Sequence, residues 1–177
     1  SKIKTTILKT ENNGIVAGIN SKSAGIIATS EKELIIKESN NNGNISSNGI
    51  LGGVVGQFLN REEKFVISNC KNTAELSGSY HIGGIIGLVN SIKADISECS
   101  SENAKLISTS EQGEGLVSAI IAATTSDTNI ENCTVKDTSI SGKVDSEAGI
   151  CAYAGDMDLS KVNYAPTYVN INNCRTE

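Results

Sequence analysis

Five cysteines and a single histidine are the residues of this 177-residue chain that could carry nucleophilic, redox or metal chemistry. Four of the cysteines each follow an isoleucine by three residues: Ile67-Ser-Asn-Cys70, Ile96-Ser-Glu-Cys99, Ile130-Glu-Asn-Cys133 and Ile171-Asn-Asn-Cys174. Ile36-Lys-Glu-Ser39 is a serine-bearing version. Zinc requires ligands that converge on a point, commonly with C-x2-C pairs. Cysteines 29, 34 and 41 residues apart at one repeat position instead lie along a line. A disulfide between stacked strands about 4.8 Å apart is conceivable, but stacked side chains point the same way. A buried column of reduced thiols, acting as small hydrophobes, fits better.

The remaining candidates are weaker. His81 sits in Ser-Tyr-His-Ile-Gly, just before a strand and with no nucleophile motif beside it, which reads as a surface loop. Asp156-Met-Asp158 offers two carboxylates for a hard cation but lacks the rest of a calcium loop. Asn44-Ile-Ser46 and Asn132-Cys-Thr134 are glycosylation sequons, relevant only in a eukaryotic source. Asn69, Asn132 and Asn173, with Glu38 and Glu98 in other copies, precede the thiol column. They read as a coil corner in left-handed backbone, which asparagine tolerates. No catalytic, cofactor-binding or metal-ligating residue is assigned, and neither a cofactor nor enzymatic activity is expected.

Whatever positions these residues repeats. GGVVGQF at Gly52–Phe58 returns as GGIIGLV at Gly83–Val89, EGLVSAI at Glu114–Ile120, AGICAYA at Ala148–Ala154 and AGIIATS at Ala24–Ser30. The anchor glycines Gly25, Gly53, Gly84, Gly115 and Gly149 are 28, 31, 31 and 34 residues apart. A third echo follows at Ile45, Leu76, Leu106 and Ile140. Three short β-prone segments per unit, separated by Asn/Ser/Gly-rich turns, predict an all-β, three-sided, right-handed parallel β-helix of about five coils. The single domain spans 1–177, with coils near 25–52, 53–83, 84–114, 115–148 and 149–177. Residues 1–24 read as a cap or partial coil, and Gly14–Gly18 is an alternative first anchor. Leu116–Thr124 is the one stretch ambiguous between strand and helix, read as a strand entering a longer loop.

Composition agrees with a thin core: aromatics are 3% and Trp is absent, against 17 glycines. A formal charge of −5 without a basic stripe argues against nucleic acid. No apolar run is long enough for a membrane span. Neither an initiator Met nor a signal-like start is present, so the chain reads as a mature or excised piece.

Alternation after each anchor glycine would turn Val54, Gly56 and Phe58 inward. It would turn Ile27, Val55, Ile86, Val117 and Cys151 outward as an apolar column. An outward apolar column implies a cover, so these five residues form a candidate interface. The alternative is that strand twist buries both columns.

The Gly-Gly-Ile-Ile-Gly…Ile-Ser-Glu-Cys and Gly-Gly-Val-Val-Gly…Ile-Ser-Asn-Cys-Lys-Asn-Thr-Ala-Glu-Leu-Ser-Gly patterns resemble the GLUG repeat, best over Gly52–Gly142. Ser118 and Ala152 stand where the closing glycine is expected. The resemblance implies a β-solenoid module of bacterial cell-surface or secreted proteins, outside any catalytic domain, and carries no site residues. The expectation is an extracellular structural or adhesive spacer. Its partners would be the flanking domains of a longer chain, or a host or cell-surface protein or glycan. An open stack end three residues after Cys174 would call for a further coil or cap. The alternative is a carbohydrate-binding or polysaccharide-cleaving β-helix, which needs carboxylates clustered on one outer face.

Overall fold

The computed structural model describes residues 4–155 and 168–177. These form 25 strands and no helix, wound as an all-β parallel solenoid of about five turns. Asp156-Met-Asp158 lies outside the described residues. Each coil visits four sheets in a fixed order. The third coil is representative: Lys71–Asn72, Glu75–Gly78, Ile82–Gly83, then Ile86–Ser97. Stacking these segments gives a six-stranded sheet, two five-stranded sheets and a nine-stranded one.

The spacing argument is met along two columns. Register runs Ile7–Ile36–Ile67–Ile96–Ile130–Ile171 in the nine-stranded sheet. It runs Val16–Ile45–Leu76–Leu106–Ile140 in the second sheet. Gly14–Gly18 therefore belongs to the second column, Gly25 is the first anchor, and Lys4–Leu8 is a strand of a preceding coil. The expected three sides become four sheets because a corner, at Gly-Gly in two of the coils, divides one expected strand in two. Leu51–Gly52 and Val55–Ser68 fall on different sheets.

That division overturns the inward–outward assignment. The chain bends at Gly53-Val54 and at Gly84-Ile85, and a bend resets the alternation that a straight strand would keep. The N–H groups of Val54 and Val55 both donate to the Ile85 carbonyl, each at 3.0 Å; those of Ile85 and Ile86 both donate to the Ile120 carbonyl. One carbonyl serving two successive donors brings both side chains of each pair to the same side. Val54, Val55, Ile85, Ile86 and Val117 are fully buried in the main core, and Ile27 and Cys151 pack against it. The proposed outer column of Ile27, Val55, Ile86, Val117 and Cys151 is therefore not an exposed face.

The fourth copy is also displaced. Ile86 pairs with Ile121, and Val117 pairs with Ile82. SAIIAAT at Ser118–Thr124, four residues beyond the expected EGLVSAI, is the true counterpart of GGIIGLV, with Ala119 beside Gly84. Leu116–Thr124 is two strands across a corner, Leu116–Ser118 and Ile121–Thr124, with no helix.

The wide end of the core holds the Phe58–Phe65 pair, with ring centroids 5.2 Å apart. Two coils later the same register positions are Thr124 and Thr128, whose hydroxyls hydrogen-bond at 2.7 Å. Burying hydroxyls is tolerable there because they satisfy one another.

Candidate functional site

The thiol column is built as its spacing demands. Cys70, Cys99 and Cys133 are buried, Cys174 is half-buried, and all five cysteines are free. Each column sulfur donates to the carbonyl two residues back, at 3.3–3.5 Å, so the four side chains share one direction. Burial pushes the Cys99 thiol well above its ordinary value. Cys151, packed against the core, is raised to about 11 by burial.

The corner before the column is left-handed in every coil. Lys9, Glu38, Asn69, Glu98, Asn132 and Asn173 have φ between 51° and 55°. A second asparagine series was not anticipated. Asn12, Asn41 and Asn72 form an interior amide ladder, each Nδ2 donating to the next Oδ1 at 2.8 Å. Its signal is an asparagine two residues after Thr10, Ser39 and Cys70. These features order the backbone and use their polar groups on one another.

A different region keeps polar capacity unspent. A notch lies on the outer side of the corner between two of the sheets. Glycine permits the approach: a Cβ on Gly87 would lie 2.6 Å from Ile50 Cγ2 and from the Leu51 carbonyl oxygen. Ile50, Leu88, Leu116, Ala122 and Ala123 line the notch as a second apolar cluster, with Tyr153 packed on it. Small residues deepen it, since Ala123 stands in register between Leu88 and Tyr153.

His81 lies in this notch, only 3% exposed, and is not a surface loop residue. The Tyr80 ring stacks on it at 3.9 Å with planes 18° apart. Neither ring nitrogen has a hydrogen-bond partner. Burial lowers its pKa to about 4, against a smaller opposing pull from Asp145. Beside it opens a depression of about 440 Å³ lined by Tyr80, His81, Glu114, Leu116, Asp145 and Tyr153. Asp145 is held by backbone: its Oδ2 accepts from Gly115 N–H at 3.2 Å, and its own N–H donates to the Gly115 carbonyl at 2.9 Å. Tyr80 is 43% exposed. None of these residues except His81 stood out in the sequence, because coils three, four and five each supply a part.

Among the described residues, no group of three His, Cys, Asp or Glu side chains converges as a metal site would. Comparison with family models, with curated proteins and with solved structures found no match.

Proposed function

We propose that the chain is a structural repeat module of a bacterial surface or secreted protein, of the GLUG-repeat kind, working as a spacer between flanking domains. The observation that supports this is the continuity of the interior columns. The isoleucine ladder runs unbroken from Ile7 to Ile171, and each coil pairs only with its neighbours. In such an architecture length is proportional to coil number and nothing else need change.

Duplication of the coil Lys71–Cys99 tests this reading. The duplicated chain should lengthen by about 4.8 Å in solution scattering, the spacing of stacked strands, and should still unfold cooperatively. Collapse or aggregation of that variant would count against a modular spacer. The carbohydrate-active alternative is tested in parallel with a polysaccharide panel. Turnover, or glycan binding by the isolated chain, would replace the spacer reading.

A further inference from the structure

We infer that the notch at Tyr80 is a receptor for an organic cation, an ammonium or guanidinium head on an apolar stem. The head would lie between the carboxylates of Glu114 and Asp145, with the stem along Tyr80, Leu116 and Tyr153. Such a cation is a lysine or arginine side chain of a partner protein, or a free alkyl diamine. This goes beyond the spacer reading and does not depend on it.

Five observations carry the inference. Among the described residues, the depression of about 440 Å³ is lined by two carboxylates and no lysine or arginine. The nearby Lys143 is directed elsewhere, its Nζ donating to the Glu111 carbonyl at 3.3 Å. Among the described residues no cation forms an ion pair with Glu114 or Asp145. Exposed and half-buried tyrosine rings supply the faces on which cations and their alkyl stems rest.

The fifth observation is His81. A 97%-buried imidazole with both nitrogens unpartnered is a rare arrangement, because unpaired buried polar groups are costly. The ring is neutral at pH 7, so one nitrogen is a free acceptor. A ligand that shifts the covering Tyr80 ring acquires that acceptor for one of its N–H groups. Both carboxylates and the unprotonated His81 nitrogen accept, and the tyrosine faces attract positive charge, which suits a cation. An anion would meet two carboxylates. A neutral sugar would leave their charge unpaired.

The experiment uses the fact that His81 is the only histidine, so its imidazole C–H resonances are a built-in probe. The intact chain is titrated at pH 7 with Nα-acetyl-lysine methylamide, with cadaverine, with the norleucine analogue lacking the ammonium, and with methyl glucoside. Saturable movement of the His81 signals by an amine, and none by norleucine or glucoside, is the expected result. Tighter binding of the capped lysine assigns the site to a protein side chain; tighter binding of cadaverine assigns it to a free amine. The Glu114→Gln/Asp145→Asn variant should bind the amine at least about tenfold more weakly, the loss of one charge-assisted contact, with an unchanged circular dichroism spectrum. Asp145→Asn alone should give a smaller loss, and serves if the double variant does not fold. The proposal is overturned by no saturable shift with either amine, by norleucine or glucoside acting equally well, or by folded carboxylate variants that bind like the parent.

Discussion

Burial keeps His81 neutral in the folded chain, with a pKa near 4 against about 6.5 when unfolded. The unfolded chain therefore takes up the proton first as pH falls. Stability should be fully present above about pH 6.5 and decline from there to about pH 4, by about 3 kcal/mol over the window. Asp145, Glu114, Tyr80 and Tyr153 line the depression beside the ring, and the charge of Asp145 opposes the effect. Urea unfolding at pH 7 and pH 4.5 checks this, and His81→Leu, matching Ile50 and Leu116 of the same cluster, should remove that part of the slope. An identical slope in the variant would show that His81 is not the group responsible. Thiol accessibility is a second residue-scale outcome. Cys151 and Cys174, half-buried, should react with a maleimide before Cys70, Cys99 and Cys133, which should label only on unfolding. Prompt native labelling of Cys99 would contradict its place at the centre of the column.

At the scale of single elements, the Gly-Gly bend decides which sequence arguments hold. Isoleucine positions were legible because they lie on uninterrupted strands, and cysteine positions because the same left-handed corner precedes each of them in every coil. The direction of Val55 and Ile86 was not legible, because alternation was carried through a corner that resets it. The register of the fourth coil was hidden for a related reason: Gly115-Leu-Val-Ser imitates the anchor, while the true corner uses Ser118 and Ala119, without glycine. The notch was invisible because it arises only when two sheets fold back on each other. Gly83→Ala should show how tight that fold is. Its Cβ would stand 1.7 Å from the Ile86 carbonyl oxygen, so the backbone must move, at a cost of about 3 kcal/mol or more. The same position in the fifth coil is already Ala148, half-buried and in a looser surround, and Ala148→Gly should change stability by less than about 1 kcal/mol. Chemical denaturation of the two variants gives the comparison.

For the whole molecule, coil position should set the cost of a core lesion. Ile96→Asp buries a carboxylate in the middle of the isoleucine ladder, where Ile96 is 1% exposed, and should unfold the chain at neutral pH, since such burial costs several kcal/mol. Ile171→Asp, on a strand where the native side chain is 47% exposed, should be tolerated and leave the melting of the other coils intact. Equal damage from the two would refute the ladder as the source of stability. The ladder also has a mechanical side. Hydrogen bonds between coils, such as Leu51 N–H to the His81 carbonyl, join one coil to the next and so lie along the long axis. Tension applied at the two ends loads them one coil at a time, in series rather than in shear. Each released coil of some thirty residues would extend from about 4.8 Å to about 100 Å. A stack stiff at rest would thus pay out length in steps under load, yielding one coil at a time before it breaks.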